Sequence, residues 1–133
     1  MAEYHAANPG LADGRRMSPE AQAFFRCHDA AHVVFGCGTA LDDEAAVKIA
    51  SIFGSTAGLR VLRGYRLHES REIYRQIPPA AVLGSIARSV LIVPRALLRC
   101  ARQRERWPWA HFDQYLGVPL RDIRRKFGII VAH

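Results

Sequence analysis

The 133-residue sequence predicts an all-α fold, a small bundle of about five to six helices with one long kinked helix. Three observations carry this expectation. Apolar residues recur at three- and four-residue spacing through most of the chain. Helix-starting Ser-Pro and Asp, and helix-ending Gly, fall between those runs. No alternating apolar–polar pattern longer than a few residues appears, so strands leave no signal.

Residues 1–17 read as an extended arm, because Asn8-Pro9-Gly10 and Asp13-Gly14 are turn chemistry without an apolar period. Residues 18–133 form a single helical domain. Ser18-Pro19-Glu20 supplies an N-cap, a proline in the first turn and an acid beside the helix dipole. That first helix should run from Pro19 to Phe35 and stop at Gly36 and Gly38. Asp42 or Asp43 is expected to cap a second helix through about Thr56, followed by a glycine-interrupted exit. A short helix is expected over Glu69–Gln76, stopped by Pro78-Pro79. The longest helix should span Pro79–Arg106, with Leu83, Ile86, Val90, Val93, Leu97 and Cys100 as one stripe and Pro94 as a kink. A short helix Trp109–Leu116 and a last one, Leu120–Phe127 closed by Gly128, complete the reading.

Half of the residues are apolar and 23% are charged, a globular balance that argues against disorder. The core is small at this length, so pairing with a second copy would add burial. Net charge is +7, and 17 of the 19 basic residues are arginine. Five of the twelve acids lie between Glu20 and Glu44, whereas arginines dominate from Arg60 onward. The basic half suits an anionic partner such as a phospholipid surface. Nucleic acid is the default partner of a basic protein but is not expected here, because no motif interleaves aromatic and basic residues. Three cysteines without a CxxC imply no disulfide framework and a reducing compartment. Cys27 and Cys37 bracket the candidate site described next, and both read as packing residues. No signal peptide is visible in the first fifteen residues. Arg88 and Arg95 exclude an ordinary transmembrane helix from the most apolar stretch. The long helix therefore reads as a core helix with a solvated basic face, with a membrane-surface element as the alternative.

One constellation carries chemistry. His28 and His32 are four residues apart, so their side chains lie about 40° apart on one helix face. Asp29 sits roughly 60° beyond His32, within one third of the circumference. Glu44 opens the next helix after a glycine-containing turn that can fold back. Two imidazoles and two carboxylates so placed can meet one divalent cation, with zinc the best fit and Fe(II) or Mn the alternatives. On spacing alone a second reading stays open: one buried histidine, one exposed, and solvated helix-end acids.

Phe25-Arg26-Cys27-His28-Asp29-Ala30-Ala31-His32, then eleven residues to Glu44, resembles the HDxxH-x11-E signature of the ubiquinone (coenzyme Q) biosynthesis protein four family. Gly36, the run Glu44-Ala45-Ala46-Val47-Lys48, Trp109 through Tyr115 and Pro119 through Ile129 resemble further pieces of that family in the same order. The resemblance covers roughly residues 10–130 and implies a short, N-terminally reduced member. It implies a metal held by His28, Asp29, His32 and Glu44. It implies a homodimer at a membrane, on the inner, cytoplasmic face in a bacterium. The implied partners are a polyprenyl quinone precursor or other isoprenoid lipid and other quinone-biosynthesis enzymes. The implied activity is metal-dependent oxidative decarboxylation at ring carbon 1 of that precursor.

Three rivals share the residues. The His28-Asp29 doublet is similar to that of HD-type phosphohydrolases, but an upstream histidine is found only at His5 and Glu44 has no place in that scheme. A zinc peptidase would need a glutamate where Asp29 stands. A non-catalytic scaffold or lipid-binding component would use the metal structurally, as a closed four-ligand site favours.

Overall fold

A computed structural model describes residues 17–75 and 77–131. The described residues are all-α: six α-helices, α1 Pro19–Phe35, α2 Leu41–Phe53, α3 Val61–Gly64, α4 His68–Arg75, α5 Pro79–Ala101 and α6 Leu120–Phe127, with 3-10 turns at Gly58–Arg60 and Asp113–Tyr115. Among them there is no strand, only an isolated parallel bridge between Ser55 and Trp107. The arm expected over residues 1–17 lies, except for Met17, outside the described residues, as does Gln76.

Local chemistry accounts for the best-defined ends. Ser18 Oγ accepts from the Ala21 amide at 3.2 Å, and Pro19 opens α1. Gly36 ends it at φ 69°, a left-handed geometry that glycine adopts without strain, and its amide returns to the His32 carbonyl. Gly128 ends α6 in the same way at φ 67°. Both helices match their sequence-based bounds.

Four expectations are corrected, and two of them, the ends of α2 and α5, by contacts the local pattern does not contain. Helix α2 begins at Leu41 with Ala40 as its N-cap, whose methyl group can accept no amide; Asp42, Asp43 and Glu44 fill the first turn instead. It stops at Phe53 rather than near Thr56, because the chain there pairs with a distant segment. Trp107 donates its amide to the Gly54 carbonyl at 2.9 Å, and Thr56 donates to the Trp107 carbonyl at 2.8 Å. Helix α5 ends at Ala101, short of Arg106. The Arg104 amide instead donates to the Phe127 carbonyl at 2.9 Å, drawing the chain onto the end of α6. Only a 3-10 turn forms where a helix over Trp109–Leu116 was expected.

The core joins α1, α2, α6 and the segment after α5, with Val34, Phe35, Val47, Trp107, Phe127 and Ile129 buried together. Trp107 is its largest member, stacked near Phe112 and edge-on to Phe127. Helix α5 packs chiefly against α2. Its inward face is small, since Ser85 and Ala96 are its buried residues. The core-helix reading of α5 is thereby overturned: Leu83, Ile86, Val90 and Leu97 of the expected stripe are exposed. Periodicity located the stripe, but the inward face is the one carrying serine and alanine.

Arg124 on α6 clamps the C-terminus of α1. Its Nε donates to the Val34 carbonyl at 3.0 Å and a terminal guanidinium nitrogen donates to the Val33 carbonyl at 2.8 Å. These are end carbonyls that lack intrahelical donors. Arg124→Ala should lower stability by about 1–3 kcal/mol, read as a reduced urea midpoint at unchanged slope. An unchanged midpoint would show the clamp to be idle.

Candidate metal centre

Helix α1 presents His28 and His32 one turn apart on a face that turns inward. The turn after Gly36 reverses the chain, and α2 then places Glu44 in its first turn, opposite the two imidazoles. A Cβ at Gly38 would stand 2.8 Å from Asp43 Oδ2, the movable end of a side chain, so the left-handed Gly36 is the position in this turn that calls for glycine. His28 and His32 are buried, the latter 1% exposed, and Glu44 is half-buried.

The three side chains converge. Glu44 Oε1 lies 3.1 Å from His32 Nε2, and Oε2 lies 3.5 Å from His28 Nε2. One ligand atom from each lies within 4.8 Å of the others. Ligands about 2.1 Å from a tetrahedral ion are separated by roughly 3.4 Å; each histidine lies about that far from one Glu44 oxygen, and the three-atom set as a whole spreads to within 4.8 Å. His28 Nε2 is buried and makes no hydrogen bond, which suits a nitrogen whose lone pair awaits a cation. His32 Nδ1 faces the Cys37 carbonyl at 3.3 Å. A proton on Nδ1 serves that contact and leaves the Nε2 lone pair for a metal, the usual outer-shell arrangement of a ligating histidine.

Asp29 falls outside the converging group of three. It is buried on α1 beside His28, but its carboxylate is not among the converging ligand atoms. Of the four expected ligands the structure brings together His28, His32 and Glu44. Three protein ligands leave a tetrahedral ion one position for water or substrate. Cys37 contributes its carbonyl rather than its sulfur; burial pushes its thiol up to about 12, as suits a packing residue.

The surroundings are aromatic with one cation. Phe24 and Tyr65 lie 5.7 and 5.6 Å from the His28 ring, centroid to centroid. Lys48, one turn after Glu44, holds its ammonium 4.4 Å from the Tyr65 ring centroid. Sequence reasoning missed Tyr65 and Lys48 as neighbours of the site. The four-residue step from Glu44 to Lys48 was a signal for the lysine; nothing local pointed to the tyrosine. Phe24 is seated by Gly64, where any Cβ would overlap the phenyl ring. Gly64→Ala should therefore cost about 1–3 kcal/mol, measured by thermal unfolding. A melting temperature equal to that of the parent would show that the ring moves aside freely.

Electrostatics separate the two histidines. Burial pushes His28 down to about 4, against an opposing pull from Glu44. Burial also lowers His32, but its contact with the Glu44 carboxylate and the Cys37 and Gly38 carbonyls outweighs that and raises it. Burial raises Glu44, and the two histidines more than reverse it, holding the acid below its usual range. In metal-free protein, then, an unfolded chain protonates His28 between pH 6.5 and about 4 while the folded chain does not. Stability should fall with pH across that window by roughly 3 kcal/mol from this group. The Glu44 contribution, present above 4.5, is lost as pH falls further. His32 acts oppositely, contributing fully below 6.5 and less as pH rises through its raised value. Urea midpoints of chelator-treated protein should show a steeper acid slope in the parent than in His28→Gln. Equal slopes would contradict a neutral buried His28.

No family model, curated protein or solved structure matches the chain.

Proposed function

We propose that this protein is a metal-dependent component of ubiquinone biosynthesis that acts on a polyprenylated benzoquinone precursor, replacing the carboxylate at ring carbon 1 by a hydroxyl. The observation that carries the reading is the convergence of His28, His32 and Glu44 from the HDxxH-x11-E spacing onto one point. An ion held there, zinc by ligand preference with Fe(II) or Mn as alternatives, polarises a bound carboxylate or lowers the pKa of a water. The chain's own residues support an acidic aromatic substrate. The His32 tautomer is set by Cys37, the Phe24 and Tyr65 rings offer apolar surface, and Lys48 supplies the positive charge nearest Glu44. Replacing the carboxylate by a water-derived hydroxyl breaks the ring–carboxyl bond and releases carbon dioxide, one proton and two electrons, and the electrons pass to an external acceptor, dioxygen or a quinone. Other enzymes of the pathway, a second copy of the chain and a location at the inner face of a bacterial membrane belong to the same reading.

The three-ligand set favours a catalytic ion over a structural one, since a closed four-ligand site leaves no position for substrate. It also weakens the phosphohydrolase reading, in which the His-Asp doublet ligates as a pair. A second reading rests on the His32–Glu44 contact itself: a buried ion pair that fastens α1 to α2 without any metal.

Complementation of a quinone-deficient strain tests the proposal. The intact gene should relieve accumulation of the carboxylated precursor, read by mass spectrometry, and Lys48→Ala should relieve it less. Relief by a His32→Ala variant equal to that by the parent would overturn the catalytic reading.

A further inference from the structure

Helix α5 has three faces. At 100° per residue, Ser85 and Ala96 mark the side packed on α2. Arg88, Arg95, Arg99 and Arg102 share the next arc of about 60°. Leu83, Ile86, Val90, Leu91, Leu97 and Leu98 occupy a further arc of about 140°. That apolar arc lies open: Val90 is 72% exposed, Leu83 69% and Leu91 59%. Isolated exposed leucines are ordinary, but a contiguous row from Leu83 to Leu98 marks a contact surface.

We infer that this arc seats α5 in the plane of an anionic phospholipid bilayer. Charge selects the occupant. No acid occurs between Pro79 and Ala101, and the arginine edge runs beside the apolar arc where lipid phosphates would lie once the leucines enter the acyl boundary. An antiparallel two-fold pair of α5 helices would bring both arginine edges to one side of the seam; neither helix carries an acid of its own, and Asp42 of α2 offsets Arg88 on each edge. The helix is long and apolar enough to cross a membrane. It lies along the surface instead, because its third face is covered by α2 and Arg88 and Arg95 sit in its middle. Asp42 holds Arg88 at 2.5 Å, which ties the orientation of α5 to the helix that carries Glu44.

Flotation with vesicles tests the inference. The full chain should float with vesicles of equal parts phosphatidylcholine and phosphatidylglycerol and stay behind with phosphatidylcholine alone. A Val90→Ser, Leu91→Ser, Leu98→Ser variant should bind roughly a hundredfold more weakly or worse, at unchanged helical circular dichroism, because these side chains are already in water. Arg95→Glu with Arg102→Glu should lose binding to the anionic vesicles without altering the apolar arc. The inference shares only a membrane location with the proposed function. His32→Ala should float like the parent, so failure of the metal reading leaves flotation intact. Parent protein that ignores the anionic vesicles, or serine variants that float unchanged, would overturn it. So would a dimer by light scattering that the serine variant converts to monomer in the absence of flotation.

Discussion

His32→Ala should lose its metal. Three ligands share a site whose total binding free energy, by analogy with structural zinc sites, is on the order of 10 kcal/mol. Removing one withdraws about 3 kcal/mol or more, a hundredfold or greater loss of affinity. His32 is the most telling position because it is both the more buried imidazole and the one whose Nδ1 is fixed by the Cys37 carbonyl. His28→Ala and Glu44→Gln should weaken binding too, and Asp29→Asn less than either, since the converging group is made by His28, His32 and Glu44. A competition titration with a chromophoric chelator measures all four. Equal losses at Asp29 and His32 would contradict the three-ligand geometry.

Trp107→Ala should be the most destabilising single substitution outside the site. The indole is 1% exposed and packs against Phe112, Tyr115 and Phe127. Truncation leaves a cavity in the centre of a small core, a loss of about 3–5 kcal/mol. That is a large part of the stability such a domain possesses. The backbone around it also bridges the exit of α2 to the segment after α5, so loss of packing should loosen both. Trp107→Phe should retain much of the stability, because Phe keeps the ring contacts and the indole N–H has no hydrogen-bond partner to lose. Guanidinium unfolding distinguishes these outcomes. A midpoint for Trp107→Ala close to that of the parent would remove Trp107 from the centre of the core.

What was legible in the sequence is what local chemistry dictates. Ser18, Pro19 and Gly36 bound α1, and Gly128 ends α6, because capping and left-handed geometry are written in adjacent residues. The i, i+4 placement of His28 and His32 follows from helix geometry, and a glycine-rich turn was enough to anticipate the return of Glu44. The rest depends on partners far along the chain. Ser55 and Thr56 leave α2 to meet Trp107, and Arg104 leaves α5 to meet Phe127. Arg124 reaches across to α1, and none of these contacts has a periodic signature. The direction in which α5 turns was misread because periodicity marks an apolar stripe without saying what faces it. Asp29 was grouped with the histidines by angular proximity, yet adjacent helix positions diverge by about 100° and need not aim at one point.

The metal content of protein purified without chelators tests the central claim most directly. Elemental analysis should find about one transition-metal ion per chain in the parent and a trace in His32→Ala, with zinc foremost by ligand preference. A parent chain that carries no metal, and takes up none when zinc, Fe(II) or Mn is supplied, would leave His32 and Glu44 as a buried ion pair and contradict the metal centre.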